Sequence, residues 1–292
     1  MIPNVAAVRG PNVIIDAHHH LWKVSRGDYH WMSPDMTVLA RDYLIEDLEP
    51  HLRKASVART VLVQAAQTEA ETEFLLELAA QSDLIAGVTG WLDLADPRFP
   101  ERLAHFRRHP KFVAVRPMLQ ELSDDAWILE PVVLGNLKHL AQLRFPFEFL
   151  TFPRHLPHVV RALEQTPGLH AVVDHLSKPP IASGVMEPWA SLIGRVAEFS
   201  NVNCKLSGMV TEADHARWSP DSLAPYVHRV LDVFGAGRLL FGSDWPVCRL
   251  AAEYGEVVNA LRTILGARLR PQEIDQVFGG NAQRFYGLER SQ

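Results

Sequence analysis

Fourteen histidines occur in 292 residues, and three of them are consecutive, in Asp16-Ala17-His18-His19-His20. The run closes a short apolar stretch, Val13-Ile14-Ile15. Alternation along a strand puts His18 and His20 on one side and His19 on the other. Two imidazoles one pleat apart can share one metal ion or flank one substrate carbonyl; the plainer reading is a solvated histidine run. A carboxylate follows a second apolar run, in Leu240-Phe241-Gly242-Ser243-Asp244-Trp245-Pro246. Asp244 can be a metal ligand, a general base that deprotonates water, or both; otherwise it caps the next turn. His175, in Val172-Val173-Asp174-His175, stands where an apolar run meets a polar loop. It can ligate a metal or polarise a carbonyl, against the alternative of a core histidine bonded to backbone. Arg116 ends Val113-Ala114-Val115-Arg116. Its forked, permanently charged donor suits an ester carbonyl, a carboxylate or a developing oxyanion, unless an acid pairs with it. Gln64, Trp91, Lys205 and Ser207 end other apolar runs, to touch substrate or to pack. Trp31, with Trp22, Trp91 and Trp245, can wall a hydroxylated ring or fill a core.

These residues share a position: each ends a candidate strand. Eight strand candidates cover residues 13–17, 60–64, 86–91, 112–116, 146–150, 171–175, 202–206 and 239–243. Most are continuous hydrophobic runs, which suits a parallel sheet covered on both faces. Amphipathic helical stretches lie between them, at 71–80, 156–163, 189–199 and 222–234, and the spacing leaves room for a crossover helix each time. Residues 271–288 read as a last helix interrupted at Gly279-Gly280. The fold class is therefore α/β, as a single (β/α)8 TIM barrel over residues 1–292, with a doubly wound open sheet as the runner-up. In such a barrel the catalytic groups gather where the strands end.

Composition removes other classes. Apolar residues make up 47% and charged residues 22%, as in a globular chain. A formal net charge of −5 gives no field for nucleic acid. No apolar run approaches the ~20 residues that span a bilayer, and Met1 to Pro11 lack a secretory apolar core. Two cysteines, Cys204 and Cys248, make no disulfide framework; they read as small buried hydrophobes in a cytoplasmic protein. Oligomeric state is not legible.

An HxH pair ending the first strand, a His ending the sixth and an Asp ending the eighth resemble the amidohydrolase superfamily. The wording around them is more specific. Ile15-Asp16-Ala17-His18-His19-His20-Leu21-Trp22, Asp174-His175-Leu176-Ser177-Lys178-Pro179, Lys205-Leu206-Ser207-Gly208 and Phe241-Gly242-Ser243-Asp244-Trp245-Pro246 look like the amidohydrolase-2, or amidohydrolase-related, branch. The ending Asn281-Ala282 to Phe285-Tyr286-Gly287-Leu288 is also similar. Within the branch the likeness is to sugar-lactone lactonases of the L-fuconolactonase and L-rhamnonolactonase type. The resemblance implies that His18, His20, His175 and Asp244 take the shared mouth positions. Together with the strand-end positions, this gives an expected substrate site of His18, His20, Gln64, Trp91, Lys205 and Trp31, with Asp244 as general base and His175 and Arg116 as electrophilic partners. Binuclear members bridge two metals with a carboxylated Lys or a Glu on the fourth strand and use a His on the fifth. Here Arg116 ends the fourth, and the fifth ends Phe147-Glu148-Phe149-Leu150. At most one divalent cation, zinc first, is therefore expected on His18, His20, His175 and Asp244, and none is strictly required. The expected activity is hydrolysis of a small sugar lactone. The alternative, also carried by the branch, is a metal-dependent, non-oxidative decarboxylase of an aromatic or unsaturated acid.

Overall fold

The computed structural model describes residues 13–288. The reading of Met1 to Pro11, and both ends of the 1–292 span, lie outside the described residues. Strands β1 (Ile14–His19), β2 (Val57–Val63), β3 (Ile85–Gly90), β4 (Phe112–Val115), β5 (Phe147–Phe149), β6 (Ala171–Val173), β7 (Val202–Leu206) and β8 (Leu239–Phe241) form one sheet in sequence order. Every adjacent pair is parallel. The sheet closes beyond β8: Asp244 N donates to His18 O at 2.8 Å and His20 N to Trp245 O at 2.7 Å. The architecture is a (β/α)8 barrel, and the open doubly wound sheet is excluded by that closure.

The crossovers carry helices α1 (Ile45–Lys54), α2 (Glu69–Ala80), α3 (Phe99–Phe106), α4 (Pro131–Leu143), α5 (Leu156–Gln165), α6 (Trp189–Ala197), α7 (Pro220–Phe234) and α8 (Tyr254–Gly266). Their starts follow ordinary chemistry. The Thr68 side chain accepts from Glu71 N ahead of α2, and Ser219 caps α7 with Pro220 at its first position. Alternation in β2 divides the apolar residues between two cores. Val61 and Val63 face the barrel interior with Ile15, Ala17, Val172 and Leu240, while Leu62 joins the layer between sheet and helices. The predicted last helix is three pieces: α9 (Pro271–Asp275), a π turn (Gln276–Gly280) and α10 (Asn281–Tyr286). α10 plugs the end where strands begin, with Ala282, Phe285 and Tyr286 in the interior core and Asn281 Nδ2 donating to Leu239 O at 2.6 Å. The plug leaves the opposite end, where the strands finish, as the mouth.

β6 and β8 end two residues before the predicted 171–175 and 239–243, at Val173 and Phe241, so His175 and Asp244 stand beyond the ladder rather than in it. Among the described residues no helix is long and apolar enough to cross a membrane.

Candidate active site

The sixth and eighth strands end in backbone that L-residues avoid. His175, Leu176, Ser177 and Lys178 have φ of 51°, 55°, 60° and 49°, and Asp244 has 58°. Left-handed backbone costs about 1–2 kcal/mol per residue, and such strain persists only where surroundings hold it. Trp189 Nε1 donates to Leu176 O at 2.7 Å, Ser177 Oγ pairs with Thr151 Oγ1 at 2.8 Å, and Lys178 N donates to His175 O at 2.7 Å. The turn buries Leu176 and sends both His175 and Lys178 to the mouth. Two glycines make room. A Cβ on Gly208, at φ 63°, would stand 2.5 Å from His175 Nδ1, and one on Gly242 would stand 2.6 Å from His18 Cβ.

His18, His20, His175 and Asp244 meet there. His18 Nε2 and His20 Nε2 are 3.2 Å apart. Asp244 Oδ1 lies 3.4 Å from His20 Nε2, 3.8 Å from His18 Nε2 and 3.9 Å from His175 Nε2. His19 points the other way, with Nε2 2.9 Å from Thr60 Oγ1, as alternation requires. The rings are held from behind: His20 Nδ1 donates to Val63 O at 2.8 Å, and His175 Nδ1 lies 2.9 Å from Ser207 Oγ. Asp16 ties β1 to the chain after β8, accepting from Ser243 N at 2.9 Å and Tyr254 Oη at 3.0 Å.

Burial and charge set the protonation. Burial holds His18 well below the usual imidazole range, helped by the Lys205 charge, and brings His175 down to about 4. Both rings are neutral at neutral pH. Burial works to raise the Asp244 carboxyl, but His175 and His20, with a smaller part from Lys178, outweigh it and leave it below the ordinary value. The mouth thus presents an ionised carboxylate beside the neutral imidazoles of His18 and His175.

A cavity of about 440 Å³ opens over this cluster, lined by His20, His175, Arg116, Asp244 and Trp31 among others. A larger hollow, about 520 Å³, lies by Arg144, His170 and Arg284, beside the α10 plug and away from the polar cluster. The smaller one has the chemistry. Arg116 meets both of its readings. It pairs with Asp174 at 3.2 Å, its Nη2 donates to Gln64 O, and it still lines the cavity. Trp31 lines the cavity and is pinned by Nε1 donating to Ala65 O at 2.7 Å. His18, Gln64 and Lys205 lie beneath the lining: Gln64 Nε2 donates to Arg116 O at 2.8 Å, and Lys205 sits between Glu148 and Asp174. Trp91 stands outside the lining, its backbone N and O both held by Thr72 Oγ1. Trp22 and Trp245 are core, each edge-on to Tyr43. Cys204 and Cys248 are buried free thiols.

The cavity also has walls that sequence reasoning missed, including Lys178, Glu212, Met118, Phe152 and Leu250. Lys178 sits inside a motif that had been singled out, three residues after His175. Glu212 carries no local signal; it reaches the mouth in a loop and lies 3.7 Å from Lys178 Nζ.

The spacing of three donor atoms suits a metal ion. Ligands ~2.1 Å from a tetrahedral zinc lie roughly 3.4 Å from one another, and the His18, His20 and Asp244 atoms are separated by 3.2, 3.4 and 3.8 Å.

Residues 15–288 match the family described as amidohydrolase, in its second branch. The chain belongs to the amidohydrolase family. Two curated relatives are lactonases. An L-fucono-1,5-lactonase of Burkholderia ambifaria is 42% identical over 94% of this chain and 96% of its own length. Another L-fucono-1,5-lactonase, from Burkholderia multivorans, is 37% identical over the same shares. The crystal structure of an amidohydrolase from Burkholderia multivorans with bound zinc is 36% identical, covers 95% of this chain and 100% of that one, and has a TM-score of 0.91.

Proposed function

We propose that the protein hydrolyses a small sugar lactone to its aldonic acid, with a ring of the L-fucono-1,5-lactone kind as substrate. The observation that carries this reading is the meeting of Asp244, His20, His175 and Arg116 on one cavity, in a chain 42% identical to an L-fucono-1,5-lactonase. The cavity suits such a ring. Trp31, Phe152 and Leu250 give apolar wall for its carbon face and methyl group, and Lys178 and Glu212 give partners for hydroxyls.

In this mechanism the ionised Asp244 takes a proton from water as its oxygen adds to the lactone carbonyl. Arg116 and His175 face the oxygen that becomes negative; one such donor is worth about 3 kcal/mol, or 10²–10³ in rate. Collapse of the tetrahedral intermediate breaks the ring C–O bond, and the protonated Asp244 returns its proton to the departing alkoxide. His18, His20 and Asp244 would hold a divalent ion, which when bound supplies Lewis acidity to an oxygen in the mouth. A lactone is an activated ester, so the reaction does not demand that help. Two buried free thiols suit work in a reducing cytoplasm.

The test is a panel of aldonolactones followed with a pH indicator, beside a CO2-release screen of aromatic acids, on chelator-treated and zinc-supplied protein. Acid release from a 6-deoxy aldonolactone in both preparations supports the reading. Silence on every lactone, or zinc-dependent CO2 release alone, overturns it in favour of the decarboxylase.

A further inference from the structure

Lys205 is wholly buried on β7, beneath the mouth. Two acceptors take hydrogens from its Nζ, Glu148 Oε2 at 2.6 Å and His18 Nδ1 at 3.1 Å. Asp174 Oδ1 lies 3.0 Å away as an ion-pair contact, with no hydrogen bond of its own. An ammonium has three hydrogens and no lone pair, so toward His18 Nδ1 it can only donate. That contact has a consequence. A ring nitrogen that accepts from an ammonium carries no proton, and in a neutral imidazole the proton then sits on the other nitrogen. His18 Nε2 is a donor, and a receiver faces it, His20 Nε2 at 3.2 Å. His20 can receive, because its Nδ1 hydrogen is spent on Val63 O at 2.8 Å. Lys205, His18, His20 and Val63 thus form one chain of donors pointing the same way.

A metal ion needs the reverse arrangement at His18. Ligation takes the lone pair of Nε2 and moves the proton to Nδ1, where it would face the ammonium at 3.1 Å. The carboxylate oxygen that could accept it, Asp174 Oδ1, is farther away, at 3.5 Å, while the Lys205 ammonium is at 3.1 Å. Metal-bound histidines ordinarily donate their other ring N–H to a carboxylate or carbonyl. Here a cation occupies that place.

We propose that Lys205 is a positioning residue that holds His18 in its Nε2–H tautomer, weakening zinc binding at the His18–His20–Asp244 cluster and keeping the mouth a hydrogen-bonding site. The inference concerns the same site as the lactonase reading, but neither test below uses a lactone, so the two fail separately.

The first test is on the unaltered, chelator-treated protein. Histidine-selective 15N labelling, with His18→Asn to assign the signal, reads the His18 tautomer directly. The Nε2–H form is expected; the Nδ1–H form overturns the proposal. The second is zinc titration by calorimetry of Lys205→Met combined with Glu148→Gln, which removes the ammonium together with one of its counter-charges. Zinc should bind roughly 10- to 100-fold more tightly than to the parent. Unchanged or weaker binding in a variant that melts cooperatively overturns the proposal. If the double variant does not fold, the tautomer measurement decides.

Discussion

Gly208→Ala is a substitution whose effect can be worked from one contact. Gly208 sits at φ 63°, and a Cβ built there lies 2.5 Å from His175 Nδ1 and 2.7 Å from Cγ. Ordinary contact begins near 3.4 Å, so the ring must retreat by 3.4 − 2.5 = 0.9 Å. Its hydrogen bond to Ser207 Oγ, now 2.9 Å, cannot survive a shift of that size in place. A misplacement of ~1 Å at a reacting group can cost about 10²-fold in rate. The left-handed backbone adds about 1–2 kcal/mol of instability, since alanine resists φ above zero. That is a drop of roughly 2–8 °C in melting temperature. Gly184→Ala is the matched control: Gly184 has φ 71°, is exposed, and has nothing within 4 Å of its built Cβ. The expectation is that Gly184→Ala loses only the backbone share of stability, that Gly208→Ala loses at least as much, and that only Gly208→Ala loses kcat, measured on L-fucono-1,5-lactone below the melting range. If Gly208→Ala turns over within threefold of the parent, His175 is not placed by this cradle, and its role as carbonyl partner loses its support.

Asp244→Asn should lower kcat by at least 10²–10³ with the fold kept. In the parent, activity should hold through neutral pH and fall as pH drops toward and below the ordinary carboxylate range, because the Asp244 carboxyl is held under its usual value; a rate that rises on acidification would reverse the assignment. Trp31→Ala removes cavity wall and should raise KM several-fold with a smaller change in kcat, read from initial rates over a lactone concentration series. Glu71 accepts from Ala65 N at 3.0 Å and from Ala66 N, yet burial pushes its carboxyl up to about 8. The folded state therefore favours its neutral form, and that contribution is complete below about 4.5 and lost as pH rises through about 8. Relative to Glu71→Gln, the parent should lose ground between urea unfolding at pH 5 and at pH 8.5; a parent that gains ground would mean that its two backbone donors outweigh burial.

Some of this was readable because it rests on short-range rules. Period-two alternation put His18 and His20 together and sent His19 to Thr60, and continuous apolar runs separated by amphipathic stretches led to a parallel barrel. Other parts needed more than the run of residues. Val172-Val173-Asp174-His175 reads as continuous strand, but the ladder ends at Val173, and the left-handed turn that follows is held by Trp189 and Thr151, far apart in sequence. Gln64, Trp91 and Lys205 were expected on the substrate side from their strand-end positions. A strand end, however, fixes only height in the barrel, and the lining depends on which side chains neighbouring loops cover. Glu212 and Phe152 were silent for the same reason.

The sequence by itself determined the barrel, the family and the identities of the imidazoles and carboxylate that meet at the mouth, because those follow from periodicity and from wording local to each strand end. Tertiary structure alone decided which groups face the cavity and which hydrogen each imidazole carries. Those depend on contacts such as Lys205 with His18, made between β7 and β1 across 187 residues of chain, and no window along the chain contains both partners.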